Sequence, residues 1–154
     1  VFDNSETILK AMGNPTLVGP IGSGQVLKLA NQIVVGITIG AVAEAITLCE
    51  KAGADPYKLI KALSGGWADS KILQTHGKRM IEKDFSPKGK TSTHLKDMNN
   101  ILECANLYNT HLPISNLIKE MYKNLVENGH GESDHSSLYK EIERINSKGE
   151  LWNY

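Results

Sequence analysis

One lysine stands among glycines and side-chain amides at the start of a long apolar stretch. Gly22 and Gly24 come first, and Lys28 follows four residues after Gly24. Asn31 and Gln32 follow three and four residues after Lys28, so a helix would place all three on one face. The first turn of such a helix favours a carboxylate, and a nearby lysine can move a proton. The pattern indicates acid–base chemistry on a small acid; the alternative is that Lys28 only extends into solvent.

The glycine pair departs from both common phosphate-binding motifs. A dinucleotide fingerprint needs a third glycine at the position of Leu27. A P-loop needs a lysine directly after its second glycine, where this chain has Gln25. These two residues exclude both motifs. What remains is a tight turn that lets a ligand approach the backbone at a helix N-terminus.

The remaining polar residues form no recognisable site in the sequence. Lys96 and Asp97 are adjacent in a helical segment, and without further information they are interpreted as a solvated helix face. The histidines lack the spacing of metal ligands, so we expect no metal site. They are His76, His94, His111, His130 and His135.

The composition narrows the class of protein. The chain has 154 residues, with 17 basic and 17 acidic side chains, so its formal net charge is +0. A general nucleic-acid or anionic-membrane binder would show a basic excess, and we expect neither partner. Two cysteines, Cys49 and Cys104, are too few for a disulfide scaffold and suit a reducing, cytoplasmic setting. The chain begins at Val1 without a signal-peptide pattern, and we expect it to be a fragment of a longer protein.

Helical periodicity extends over most of the chain. Asp55 followed by Pro56 predicts a helix start, and Asp134 is expected to cap the last helix. One brief strand is predicted at residues 16–18. Helices are predicted over residues 4–12, 24–50, 57–63, 70–83, 91–108, 113–128 and 134–146.

The helix over residues 24–50 is the element that must position Lys28. It is apolar on all sides, so a membrane span is the obvious alternative. Asn31, Gln32 and Glu44 interrupt the apolar run, and its flanks lack aromatic and basic belts. We therefore expect a buried helix at the centre of a helical domain or dimer.

Several motifs in sequence order resemble the β-hydroxyacid dehydrogenase family. They are the glycine–lysine segment described above, Asp84-Phe85-x-Pro87, Lys96-Asp97-Met98, Pro113 and Gly129-x-Gly131-x-x-Asp134-x-Ser136. The resemblance covers almost the whole chain, from about Val1 to Ile145.

The resemblance implies a fold and a domain organisation. The fold would be all-α, a helical domain around one long central helix, similar to the C-terminal domain of 6-phosphogluconate dehydrogenase, with a short α/β remnant at the N-terminus. Residues 1–20 would be the end of a Rossmann domain and its linker. Residues 21–154 would be the C-terminal substrate-binding and dimerisation domain. NAD or NADP would be bound mainly by the upstream domain, and this fragment alone is expected to be inactive.

The resemblance also implies roles for single residues. Lys28 would be the catalytic general acid/base, and Gly24 would face the substrate carboxylate. Lys96 would reach the cofactor site, which reverses its interpretation as part of a solvated face. The substrate-binding asparagine of the family often lies four residues after the lysine, where this chain has Gln32. Either Asn31 or Gln32 is therefore expected to contact the substrate.

The implied function is an NAD(P)-dependent oxidoreductase that interconverts a small β-hydroxy acid and its aldehyde or keto acid. Its expected partners are that acid, its own Rossmann domain and a second copy in a homodimer or larger homo-oligomer. An imine reductase-like enzyme is one alternative, although such enzymes commonly carry an acid or a tyrosine in place of Lys28. A non-catalytic helical dimerisation module is the other.

Overall fold

The computed structural model describes residues 2–148, and every regular element in that range is helical. This confirms the expected all-α fold around one long central helix. The helices are α1 (Phe2–Lys10), α2 (Ser23–Lys51), α3 (Pro56–Leu63), α4 (Lys78–Ile81), α5 (Thr91–Leu107), α6 (Pro113–Leu125) and α7 (Leu138–Lys148). Shorter turns are π-helical at Leu73–Gly77 and Val126–His130 and 3₁₀-helical at His135–Ser137.

The predicted strand at residues 16–18 is wrong. These residues have no regular secondary structure, and the one β-type pairing between described residues is an isolated bridge joining Lys90 and Asp134. A strand needs a partner strand for its backbone hydrogen bonds, and residues 2–148 supply none here. α1 precedes this segment and buries no residue. The division of the chain near residue 20 stays a prediction.

Helix α2 is the centre of the fold. Its 29 residues run from Ser23 to Lys51, close to the predicted range of 24–50. The side of α2 that faces the other helices carries Ile39, Ala43 and Ile46, which are fully buried. By length and composition α2 could also cross a membrane, but a core helix passes the same test. In the described chain its buried residues lie in the hydrophobic core.

Helices α5, α6 and α7 pack on α2 to complete that core. Their buried side chains are Met98 and Ile101 from α5, Ile118, Met121, Tyr122 and Leu125 from α6, and Leu138, Tyr139 and Ile142 from α7. Each fully buried side chain of this size contributes about 1.5–3 kcal/mol. The packing fixes α5 against α2, which positions the residues described next.

Local capping signals set several helix starts. The Asp55 carboxylate accepts a hydrogen bond of 2.9 Å from the Tyr57 N–H, and α3 starts at Pro56 as predicted. α6 starts at Pro113. Asp134 accepts a hydrogen bond of 3.1 Å from the Ser136 N–H and caps the 3₁₀ turn His135–Ser137. The last helix, α7, begins after this turn at Leu138, so Asp134 caps the turn that leads into the helix rather than the helix itself.

Candidate functional site

The N-terminus of α2 is an open turn built on glycine. Gly22 is the N-cap and has φ of 98°, in the left-handed region that favours glycine. Gly24 lies in the first turn, where a helix leaves N–H groups without partners of its own. A side chain at Gly24 would meet no atom of the described chain within 4 Å, so there is open space above this turn.

Lys28 lies one turn further along α2 and is exposed. It makes no hydrogen bond or ion pair with any residue between 2 and 148. Its ammonium group is therefore available to a ligand or to a part of the protein outside the described range.

The two amides after Lys28 have different surroundings. Asn31 is exposed, and its Nδ2 donates a 3.0 Å hydrogen bond to Gln32 Oε1. Gln32 is half-buried, and its Nε2 donates a 2.8 Å hydrogen bond to Asp97 Oδ2 on α5. The Asp97 side chain is buried. Gln32 thus links α2 and α5. The side-chain carbonyl oxygen of Asn31 accepts no hydrogen bond from residues 2–148.

The structure places the second sequence candidate beside this link. Lys96 directly precedes Asp97 on α5, is exposed and forms no ion pair with a described residue. The sequence had not singled out Asp97 as the partner of Gln32. A signal in the sequence that could have revealed the burial of Asp97 is the helical spacing of His94, Asp97 and Met98, which places them on the buried face of α5.

A second polar cluster surrounds the buried carboxylate of Asp134. Its Oδ2 accepts 3.0 Å hydrogen bonds from the backbone N–H groups of Lys88 and Gly89, and Arg79 Nη1 lies 3.3 Å away. Its Oδ1 accepts a 2.6 Å hydrogen bond from Ser136 Oγ. Burial raises the pKa of Asp134, but the hydrogen bonds outweigh burial and lower the pKa to about 2. This carboxylate fastens the loop before α5 to the start of α7.

Three histidines from separate segments gather around the same cluster. The ring centroids of His76 and His135 are 4.7 Å apart, and those of His94 and His135 are 5.3 Å apart. Burial lowers the pKa of His76 and of His135. Burial also lowers the pKa of His94 to about 4. At neutral pH the three rings are uncharged.

His76, Asp134 and His135 offer ligand atoms within 4.8 Å of one another, although their sequence spacing gave no hint of it. The donor set does not suit a cation well. Both oxygens of Asp134 already accept hydrogen bonds, and the Arg79 guanidinium is a competing cation 3.3 Å from Oδ2. We assign a structural role to the cluster; the expectation of no metal site stays a prediction.

Comparison with known proteins identifies the family. A family model described as "NAD-binding of NADP-dependent 3-hydroxyisobutyrate dehydrogenase" matches residues 22–142, which is more than half of the chain. The chain belongs to the β-hydroxyacid dehydrogenase family. The match starts at Gly22, where the turn before Lys28 begins.

Similar curated proteins include dehydrogenases and reductases of this family. The chain is 42% identical over 144 residues to 2-hydroxy-3-oxopropionate reductase of Escherichia coli K12, covering 93% of the chain and 49% of that protein. It is 33% identical to a probable mitochondrial 3-hydroxyisobutyrate dehydrogenase-like protein of Arabidopsis thaliana, covering 90% and 45%. A cytokine-like nuclear factor, N-PAC, of Aedes aegypti is 25% identical, covering 90% and 25%. The chain thus spans about half the length of the first two of these relatives.

Solved structures support the same fold. A 3-hydroxyisobutyrate dehydrogenase of Salmonella typhimurium superposes with a TM-score of 0.82 at 22% identity, covering 90% of this chain and half of that one. The Mycobacterium tuberculosis enzyme with L-serine also gives 0.82, at 21% identity and with 92% and 51% coverage. At this identity the likeness establishes the helical fold of the β-hydroxyacid dehydrogenase family for this chain, and nothing about its ligands.

Proposed function

We propose that this chain is the substrate-binding and dimerisation domain of an NAD(P)-dependent oxidoreductase. The enzyme interconverts a small β-hydroxy acid and its aldehyde or keto acid, with Lys28 as general acid/base. One observation carries the proposal: an exposed lysine without a partner among residues 2–148 precedes a pair of hydrogen-bonded amides on α2, and Gln32 of that pair is held by the buried carboxylate of Asp97. A lysine that only served solubility would need no such fixed neighbours.

The hydrogen bonds favour Asn31 over Gln32 as the amide that contacts the substrate. Gln32 uses its Nε2 for Asp97 and its Oε1 for Asn31. Asn31 is exposed on the same face as Lys28, and its Nδ2 carries a second N–H besides the one donated to Gln32. This N–H can donate a hydrogen bond to the reacting oxygen of the substrate and leaves the hydroxyl proton for Lys28. The first turn of α2 at Gly24 offers N–H groups to the substrate carboxylate.

The surroundings of this face suit a dinucleotide as well as the acid. The open space above Gly24 leaves room for a ligand. Lys96 is an exposed cation that no described acidic residue neutralises, so it can contact an anionic or polar part of NAD or NADP. We propose that an upstream Rossmann domain supplies most of the cofactor contacts and covers this face.

In the proposed mechanism the chain orients the acid and handles the proton. The first turn of α2 holds the carboxylate, and Asn31 orients the reacting oxygen toward Lys28. When bound, the nicotinamide would accept hydride from, or donate it to, the carbon that carries this oxygen. The neutral amine form of Lys28 accepts the hydroxyl proton during oxidation, and the ammonium form donates a proton to the developing alkoxide during reduction. Without the cofactor-binding domain we expect this chain to catalyse no hydride transfer.

The test replaces Lys28 in the protein that contains this chain together with its cofactor-binding domain. NAD(P)H is monitored with 2-hydroxy-3-oxopropionate and with 3-hydroxyisobutyrate as trial substrates. We expect Lys28→Ala to lower kcat by about 10²–10⁴-fold, the usual contribution of a general acid/base. The matched control is Lys58→Ala, which removes an exposed lysine from α3 and should leave kcat unchanged. An unchanged kcat in Lys28→Ala would reject the catalytic role.

A non-catalytic helical module is the second candidate, because one similar protein is named as a nuclear factor rather than as an enzyme. The same Lys28→Ala experiment separates the two candidates. If the wild-type protein shows no turnover with either cofactor over a panel of β-hydroxy acids, the module is favoured. An imine reductase-like enzyme would instead reduce cyclic imines.

We also propose a homodimer in the cytoplasm. α2 exposes apolar side chains, including Leu27, Val34 and Leu48, the last with 71% of its surface accessible. A second copy covering this face would remove them from water. Sedimentation equilibrium at micromolar concentration should give twice the protomer mass, and a strict monomer would contradict the dimer.

A further inference from the structure

Helices α2 and α5 pack tightly against each other at Gly36 and His94. A Cβ built on Gly36 would lie only 2.6 Å from His94 Nε2. The His94 side chain is 2% exposed, and its Nε2 has no hydrogen-bond partner in residues 2–148. The edge of an imidazole ring thus lies directly against the backbone of α2, with no room for a water molecule at that atom.

The surroundings of His94 oppose a positive charge. Tyr122 from α6 packs on the ring with centroids 4.7 Å apart, and Gly36 is the neighbour on α2. His135 from the 3₁₀ turn and His76 from the π turn repel a proton on His94, and Asp97 on α5 itself attracts one. Burial is the largest effect, and the pKa of His94 falls to about 4. Arg79 and Asp134 lie beyond His76 and His135 and form an ion pair with each other.

Protonation puts a hydrogen on both ring nitrogens of His94, so the buried Nε2, which has no acceptor among residues 2–148, would carry a charged N–H. The charge can be hydrated only if the ring moves away from Gly36, which means that α5 separates from α2. Asp97 follows His94 by three residues on α5 and holds Gln32 on α2. Separation at His94 therefore pulls on the hydrogen bond from Gln32 to Asp97, which holds the Gln32 side chain in place.

We propose that His94 is a pH switch for the candidate site. Neutral His94 lets α2 and α5 close at Gly36, and protonated His94 separates them and breaks the hydrogen bond between Gln32 and Asp97. The effect on catalysis rests on the proposed function, whereas the separation of the helices does not.

The direction of the pH dependence follows from proton binding. In the closed state the pKa of His94 is about 4, and a free imidazole has a pKa near 6.5. The open state therefore binds more protons between these values. The closed state is fully favoured above about pH 6.5 and is lost progressively as the pH falls toward 4.

The test follows two NMR signals of the protein during a pH titration: the His94 imidazole and the Gln32 side-chain amide. We expect both to change reversibly with one midpoint between pH 4 and 6.5. In His94→Gln the change at Gln32 should disappear. The matched control is His111→Gln, which replaces an exposed histidine before α6 and should keep the transition.

Two results would overturn the switch. One is a Gln32 signal that stays constant while His94 titrates, and the other is an acid transition of Gln32 that keeps its midpoint in His94→Gln. If His94→Gln does not fold, the two midpoints in the wild-type protein still test the switch: equal midpoints support it, and different midpoints contradict it. A protein without dehydrogenase activity would refute the proposed function and leave the NMR result standing.

Discussion

The close approach at Gly36 can be tested by adding a single methyl group. Gly36→Ala puts a Cβ 2.6 Å from His94 Nε2, 3.4 Å from Met98 Sδ and 3.5 Å from an Ile118 methyl. The His94 ring cannot swing away freely, because it is 2% exposed and packs on Tyr122. Overpacking of this kind costs about 1–3 kcal/mol.

A second effect opposes the clash. Alanine stabilises a helix interior by about 1 kcal/mol relative to glycine. The difference between the two effects is a net loss of about 0–2 kcal/mol. Because the first contact is far shorter than van der Waals distance, we expect the free energy of unfolding to fall by the upper half of this range, about 1–2 kcal/mol. In urea unfolding followed by circular dichroism, the midpoint should drop by about 1 M with an unchanged slope.

The same helix provides the control. Gly24→Ala makes the identical chemical change in α2, at a position where the new methyl group meets nothing within 4 Å. Its free energy of unfolding should stay within about 1 kcal/mol of wild type and move, if at all, upward. If Gly36→Ala proves as stable as Gly24→Ala, the reasoning is refuted. α2 and α5 would then have room for an extra methyl group at a position where the structure shows close contact.

Two further substitutions test other parts of the core by the same urea assay. Asp134→Ala removes the nearer of the two carboxylates that pair with the buried Arg79 guanidinium, Asp84 being the other, and it takes the acceptor from the backbone N–H groups of Lys88 and Gly89. We therefore expect a loss of about 3–5 kcal/mol, against about 1 kcal/mol for Asp55→Ala at an exposed helix cap. Equal losses would contradict the role of Asp134. Tyr139→Phe removes a buried hydroxyl whose two charged partners, Lys83 and Glu50, stay accessible to water, so we expect the free energy of unfolding to fall by only about 1 kcal/mol. Tyr108→Phe at an exposed position should cause no measurable change. A loss above about 3 kcal/mol in Tyr139→Phe would show that the hydroxyl is the centre of a larger network.

Most of the fold could be predicted because its signals are local. The start of α2 follows from the glycines before it, and its length follows from a long apolar segment that contains no proline. Asp55 next to Pro56, and Pro113, mark helix starts through geometry that involves only the neighbouring residues. The strand at residues 16–18 failed for the complementary reason. A short β-prone segment is a strand only if another strand pairs with it, and pairing is not a local property.

The candidate site was predictable on α2 and not across helices. The shared face of Lys28 and Asn31 follows from helical spacing alone. The bond from Gln32 to Asp97 joins residues 65 positions apart, and no spacing rule reaches that far. The meeting of His76, His94 and His135 likewise depends on how a π turn, α5 and a 3₁₀ turn pack together. Such contacts are set by tertiary packing.

The position of Lys28 makes the proposed mechanism unusually accessible to mutation. α2 buries its later turns in the core, while Lys28 lies near its N-terminus, exposed and without a partner in the described residues. Removing an exposed, unpaired side chain usually changes stability by less than about 0.5 kcal/mol. A large loss of kcat in Lys28→Ala would therefore reflect chemistry rather than unfolding. A substitution of Asp97 could not separate chemistry from unfolding in this way. Its buried carboxylate holds Gln32, so the substitution would disturb both the packing and the site.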